Sequence, residues 1–581
     1  MGEQHHAVAP RAATRPAPGP PRAPGERPEG AASRPQLVIG LAVVTVLVLG
    51  FLAFRSSFAS DEPARLDEAD AYLAAWGEGD FAAMAAGVTQ PPPEFTALHQ
   101  QMLASLQVRA AAYEAGEAEV DGDRATVPFT AELTLGGLGV WRYESALNLL
   151  RGDDGWQVDW TPSTLHPELQ QGERFARTRT APSRAAIVDR NGLPLADGTA
   201  PLIVGTTGPA TPEQAAALGP LVEAGDTVGT QGLQARYNDV LSGEPSGQVQ
   251  IIGASGVPEV VHVFPGAEGE PLTTTIDPVV QAAAENAIAV ASGPAAFVAI
   301  ESDTGEVLAV GNSPSDGLNR PISGAYPPGS TFKVVTSNAL LGVGVDPDVN
   351  VTCPATANGF GNYAGESFGT IPFREAFYRS CNTSFIIQTG LLPEGALEAS
   401  AEQFGFNTPY DIGIDSVGGS FPSPESQAEL LAASIGQGKV TASPLHMASV
   451  AAAIDDGHWR APTLIHGDQA PERPAPVDLD PDVVADIDTM MHEVVTEGTG
   501  YNAEVAGRDV AGKTGTAEFG AEDPPETHAW FIGFSDGIAF ACLVEGGGSG
   551  GSVAAPVAGR FVAALPAPPP PTTTTTGGDD G

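Results

Sequence analysis

Tyr326-Pro-Pro-Gly-Ser330-Thr-Phe-Lys333 is the stretch on which the reading of the whole chain turns. Pro327, Pro328 and Gly329 break regular structure, and an apolar run from Phe332 to Leu341 starts directly behind them. The pattern predicts a loop feeding a helix, with Ser330 at or near the helix N-terminus. Ser330 and Lys333 then share one helix face, so the amine reaches the hydroxyl. A serine alcohol is a poor nucleophile until a neighbouring base takes its proton, and a desolvated, neutral lysine is such a base. The free N–H groups of the first turn would face a developing oxyanion. A bare S-x-x-K recurs by chance on surface helices, but lysine usage sets this one apart. The chain holds only three lysines, Lys333, Lys439 and Lys513, against 24 arginines (27 − 3). A chain that avoids lysine and keeps it here needs an amine able to lose its proton, which arginine cannot supply.

Lys513 opens Lys513-Thr514-Gly515-Thr516 inside an alternating segment that reads as a strand, and Ser380-Cys381-Asn382 lies between the two lysines. The ordered set S-x-x-K, S-x-N and K-T-G resembles that of the penicillin-binding proteins and class A β-lactamases. The flanks narrow the resemblance. Asn319-Arg-Pro-Ile322, Ser434-Ile-Gly-Gln-Gly438, Ser443-Pro-Leu-His-Met447 and His528-Ala-Trp-Phe-Ile-Gly-Phe534 are similar to class B penicillin-binding proteins, the peptidoglycan D,D-transpeptidases. The resemblance covers residues 60–566.

It implies a multidomain α+β chain whose catalytic module, 277–566, is a five-stranded antiparallel sheet between helical layers. It also implies roles. Ser330 attacks the penultimate carbonyl of a stem peptide ending in D-Ala-D-Ala, Lys333 is the general base, and Ser380 relays a proton to the leaving nitrogen. Asn382 holds the substrate amide and Lys333. Lys513 favours the neutral form of Lys333 and attracts the terminal carboxylate, with Thr514 and Thr516 as donors to it from the strand through Gly515. The backbone N–H groups of Ser330 and Thr516 form the oxyanion hole. Partners implied are peptidoglycan stem peptides, β-lactams that acylate Ser330, a membrane-embedded glycan polymerase of the shape or division type, and room for a homodimer. No cofactor and no metal are expected.

Composition bounds the rest. A chain of 581 residues implies three or four domains. The formal charge of −44 (27 − 71) argues against a nucleic-acid partner. Residues 1–35, with five arginines and three glutamates, read as a disordered cytoplasmic tail. Leu37 to Phe54 is 18 residues without a charge, longer than the roughly 7–15 of a signal-peptide core, so 36–55 is expected to be a retained transmembrane anchor. The arginines before it and the acidic mass behind it place the catalytic domain outside the cell membrane.

Helical spacing at Leu66, Ala69, Leu73 and Trp76, and at Phe95, Leu98, Met102 and Leu106, precedes strand signals from Ala125 to Leu135, Val140 to Leu150 and Trp156 to Trp160. This region, 60–168, resembles the nuclear-transport-factor-two-like domain of methicillin-resistance-type enzymes. Residues 172–276 are expected to form a β-rich pedestal or dimerisation domain. In it Ala185-Ala-Ile-Val-Asp189-Arg190-Asn191-Gly192 resembles a pedestal motif, with Ala185 where glycine is usual and with Asp189 and Arg190 expected to pair. Asp277 and Pro278 predict a capped helix over Val279–Val290, and the last helix is expected over Val557–Leu565. Residues 567–581 read as a disordered tail. His446 and His528 read as structural hydrogen-bonding residues, Lys439 as solvated and Cys542 as core; Cys353 and Cys381 are left as either a disulfide or two buried thiols. Two other functions compete. A β-lactam hydrolase needs a water-activating device, and no E-x-x-x-N follows S-x-N; a scaffold of a wall-synthesis complex does not need the intact motifs.

Overall fold

The computed structural model describes residues 65–153, 155–520 and 525–567. The tail over 1–35, the anchor over 36–55 and the C-terminal tail from residue 568 lie outside the described residues. Among the described residues no helix is long and apolar enough to cross a membrane.

The chain begins with helices α1 (Asp67–Glu78), α2 (Phe81–Ala86) and α3 (Phe95–Leu106). Strands β1 (Val108–Ala115), β2 (Glu119–Asp121), β3 (Arg124–Leu135), β4 (Gly139–Gly152) and β5 (Gly155–Val158) follow as one antiparallel sheet in the order β1-β3-β4-β5, with β2 on β3. The two-residue period sets the buried face: Val127, Phe129, Ala131, Leu133 and Leu135 are buried while the residues between them stay outward. Trp76 stacks on Tyr113 at 4.1 Å beneath that face, so this tryptophan is core.

Strand β6 (Arg174–Thr180) pairs with β7 (Ser246–Ile252), which pairs with β8 (Pro258–Phe264). Phe175, Val249 and Ile251 of this sheet pack into the core of the N-terminal domain, whereas Ile187, Leu233, Leu241 and Leu272 join the core of the C-terminal half. Only Ala210, Ala215 and Val228 form a separate small cluster. The segment 172–276 is therefore welded to both neighbours rather than folded around a large core of its own. Asp189 and Arg190 do not pair, contrary to the expectation. The buried Asp189 carboxylate accepts the N–H groups of Asn191 at 2.8 Å and Leu193 at 3.0 Å, closing a local turn. That leaves Arg190 free to reach Glu301 at 3.1 Å and Glu306 at 3.2 Å.

Those glutamates belong to the C-terminal half. Helix α4 (Pro278–Ile288) is capped by Asp277, whose side chain accepts from Val279 N at 2.9 Å and Val280 N at 3.1 Å. Strands β9 (Ala295–Glu301) and β10 (Val307–Ser313) form the first hairpin. After them come the buried helix α5 (Lys333–Gly342), the ribbon β11 (Asn350–Cys353) with β12 (Gly369–Pro372), then α6 (Asn382–Gln388), α7 (Pro444–Asp456) and α8 (Pro481–Thr496). Strands β13 (Ala511–Phe519), β14 (Glu526–Ser535) and β15 (Ile538–Val544) complete an antiparallel five-stranded sheet in the order β10-β9-β15-β14-β13. Helix α9 (Gly550–Ala564) closes the fold. It packs with α4 on one face of the sheet around Phe297, Phe540 and Phe561, while α7 covers the other.

Helix α9 starts seven residues earlier than its apolar spacing suggests, and contains Pro556. A Cβ at Gly550 would lie 2.3 Å from the Gly515 carbonyl oxygen, so the residue that reads as a loop signal is what lets the helix touch the sheet.

Replacing Arg190 with alanine removes the guanidinium shared by two half-buried carboxylates and leaves Glu301 with the Thr304 hydroxyl and Glu306 with the His466 ring. It should lower stability by about 1 kcal/mol, measured as a drop in thermal midpoint that grows smaller in high salt.

Candidate active site

Ser330 sits in a 3₁₀ turn, Gly329–Phe332, that runs straight into α5. Phe332 anchors the turn between Phe406 and Phe421. Trp530 Nε1 donates to the Pro327 carbonyl at 3.1 Å, and the Thr331 hydroxyl donates to Pro328 O at 2.7 Å. From the other side Gly329 N donates to Gly436 O at 2.9 Å, which places the predicted Ser434–Gly438 turn against the nucleophile loop. The hydroxyl-bearing Ser330 is half-exposed, whereas every residue from Thr331 to Leu341 is buried.

Lys333 is fully buried. Its Nζ donates to Asn382 Oδ1 at 2.7 Å and to the Ser380 carbonyl at 2.8 Å, with the Ser380 hydroxyl at 3.4 Å. Ser330 is not among its hydrogen-bond partners, so the expected direct Ser330–Lys333 bond is replaced by one to the S-x-N loop. The three oxygens around the amine are all uncharged, so none of them offsets a positive charge on it. Lys513, also fully buried, donates to the Ser380 hydroxyl at 3.0 Å and to Thr514 O at 3.2 Å. Ser380 Oγ therefore bridges the two lysines.

Among the described residues neither Nζ has an ion-pair partner; beyond the neutral hydrogen-bond acceptors, the Phe385 ring lies 5.2 Å from Lys333 and the Phe377 ring 5.5 Å from Lys513. Burial, and then the charge of Lys513, pushes the Lys333 amine well below its ordinary value. Burial lowers Lys513 to about 7.

The Ser380 loop is held by its own geometry. Ser380 takes a left-handed conformation, φ 59°, which a side chain adopts at a cost of about 1–2 kcal/mol. That turn aims its hydroxyl and its carbonyl at the same amine. Cys381 is fixed behind it by a disulfide to Cys353 of β11, resolving the alternative left open by the sequence. Asn382 Nδ2 donates to Gly361 O at 3.1 Å.

Strand β13 is the sheet's edge, and its unpaired side faces the nucleophile turn. A Cβ at Gly515 would lie 2.9 Å from Thr331 Cγ2 and 3.0 Å from Pro328 O, so glycine is needed for the strand to approach Ser330. Thr514 is nearly buried and its hydroxyl lies 2.6 Å from that of Thr499. The half-exposed Thr516 hydroxyl accepts from Gly550 N at 3.3 Å. The structure thus gathers Ser330, Lys333, Ser380, Asn382, Lys513, Thr514, Gly515 and Thr516 around one cleft. It adds Gly361, Phe377, Phe385 and Thr499, which no motif spacing signals.

Other expectations have plain outcomes. Lys439 is exposed and pairs with Glu429 at 3.1 Å. His528 stacks on Phe519 at 3.9 Å and accepts from Gly546 N at 3.3 Å; His446 is buried beside Phe406.

Comparison with known proteins agrees with this geometry. Residues 295–563 match the family described as penicillin binding protein transpeptidase domain, and residues 64–173 match the NTF2-like N-terminal transpeptidase domain. The peptidoglycan D,D-transpeptidase PbpA of Mycolicibacterium smegmatis is 35% identical over 365 residues, covering 51% of this chain and 72% of that protein. PbpA of Mycobacterium tuberculosis is 35% identical over 367 residues, with 51% and 72% covered. The crystal structure of Pseudomonas aeruginosa PBP2 in complex with WCK 5153 superposes with a TM-score of 0.56 at 28% identity, covering 67% of this chain and 96% of that one. The chain belongs to the penicillin-binding protein transpeptidases, in their class B branch, with an NTF2-like N-terminal domain.

Gly436 tests the packing behind the nucleophile. Its φ is +68°, and a Cβ there would lie 2.1 Å from Gly329 O. Gly436→Ala should displace Ser330 and slow acylation by β-lactams about 100-fold, with secondary structure by circular dichroism unchanged.

Proposed function

We infer that this chain is a peptidoglycan D,D-transpeptidase that cross-links stem peptides through a serine acyl-enzyme and is acylated by β-lactams. The observation that carries the reading is the buried, carboxylate-free pair Lys333 and Lys513 joined through the Ser380 hydroxyl beside a half-exposed serine.

In this reading Ser330 Oγ forms a bond to the penultimate D-Ala carbonyl carbon while its proton passes to the Lys333 lone pair. The N–H groups of Ser330 and Thr516 hold the oxyanion. Collapse breaks the C–N bond, and the leaving D-Ala nitrogen takes a proton through Ser380 from Lys333. Lys513, Thr514 and Thr516 hold the terminal carboxylate. An amine from a second stem peptide then attacks the ester carbonyl and loses a proton to the regenerated base; the ester C–O bond breaks, and Lys333 returns that proton to Ser330 Oγ. Asn382 keeps Lys333 oriented and presents its amide group to the substrate backbone.

Leu37–Phe54 is proposed as a single membrane anchor, supported by its 18 uncharged residues, with the catalytic domain extracytoplasmic. A membrane-embedded glycan polymerase of the shape or division type is the proposed partner, a reading that rests on family membership. The segment 172–276 would serve as pedestal between the NTF2-like domain and the catalytic half, and a homodimer through it is part of the same proposal.

Full-length chain in detergent, mixed with a fluorescent penicillin, should gain one stable adduct by intact mass, and Ser330→Ala should gain none. Rapid loss of the adduct would point to a hydrolase, and its absence from the unmodified protein would point to a scaffold.

A further inference from the structure

Thr499 follows the end of α8, flanked by Gly498 and Gly500. Its hydroxyl lies 2.6 Å from that of Thr514 and 3.3 Å from the Tyr378 carbonyl oxygen. Its backbone N–H donates to the same carbonyl at 3.1 Å. Tyr378 precedes Ser380 by two residues, so one threonine touches both the S-x-N loop and the K-T-G strand. The contact is tight. A Cβ at Gly498 would lie 2.4 Å from Tyr378 O, and one at Gly551 of α9 would lie 2.4 Å from Thr499 O.

Proton accounting separates two states of this pair. Each threonine hydroxyl has one proton to donate. When Thr499 donates to Tyr378 O, Thr514 must donate to Thr499 and keeps no proton for the cleft. When Thr499 instead donates to Thr514, the Thr514 proton is free for an acceptor. Tyr378 O already holds the Thr499 N–H, and the hydroxyl bond to it is the longer of the two, so it is the one that yields. An ionised carboxylate is an acceptor only and favours the second state.

We propose that Thr499 is a positioning residue for the substrate's terminal carboxylate, donating to Thr514 so that Thr514 donates into the cleft. This rests on the reading of Thr514 as a carboxylate contact. It also gives the Gly498-Thr499-Gly500 turn a purpose beyond ending a helix.

The test compares acylation of the full-length chain by benzylpenicillin and by its methyl ester, which keeps the β-lactam ring and lacks the free carboxylate. Thr499→Val should slow acylation by the acid about tenfold or more, leave the ester rate unchanged, and so shrink the preference for the acid. Thr499→Ser, which restores a hydroxyl, should recover the acid rate. Equal losses for acid and ester would mark a structural role and overturn the proposal, as would an unchanged preference in Thr499→Val. An unmodified protein that shows no preference for the acid would sink the carboxylate reading of the strand itself, and this proposal with it.

Discussion

Two amines buried in one cleft without a carboxylate are the constraint on which the rest of the site depends. A buried ammonium is strongly disfavoured unless paired, so the fold lowers the proton affinity of Lys333 by withholding counter-charge. Lys513 supplies the like charge, and the Ser380 hydroxyl lies between them. Arginine could not serve as the base at Lys333, since it stays protonated even when buried. This explains why a chain that carries most of its positive charge on arginine keeps lysine at position 333.

Holding that arrangement requires close approach of backbones from distant parts of the chain. Gly515 lets the edge strand β13 meet the Ser330 turn, Gly436 lets the loop before α7 press on Gly329, and Gly550 lets α9 seat against β13. The left-handed Ser380 is held by the Cys353–Cys381 disulfide and by the Asn382 contacts on either side of the loop. Rigidity is gained from both sides of the cleft, which suits a site that must keep a lone pair aimed at a hydroxyl.

Much of this was legible in the sequence, because reacting groups need particular side chains at fixed spacing. Ser330, Lys333, Ser380, Asn382 and Lys513 could be picked from motif order and from lysine scarcity, and the strands β13 to β15 from their patterning. What could not be read is what tertiary contact decides. Ser330 and Lys333 share a helical spacing, yet the Lys333 amine donates to Ser380 O and Asn382 Oδ1, which tertiary packing brings to it. Gly550 and Pro556 read as breakers, yet they lie in α9, where packing overrides propensity. Asp189 and Arg190 are adjacent in sequence, but the turn that satisfies Asp189 sends Arg190 to another domain. Thr499 carries no motif at all; its meaning comes from a neighbour 15 residues along the chain.

With only three lysines in the chain, their proton affinities can be read one by one. Nuclear magnetic resonance of the protein labelled with ¹³C at the lysine ε-carbon, titrated with pH and assigned by single substitutions, follows each amine directly. Exposed Lys439, beside Glu429, should titrate above its ordinary range, and Lys513 near about 7. Lys333 should titrate well below the ordinary lysine value, so that it is neutral where the enzyme works, and acylation of Ser330 should fall as acid returns the proton. A Lys333 resonance that stays protonated up to the ordinary range near 10.5 would contradict the general-base role and the electrostatic design built around it.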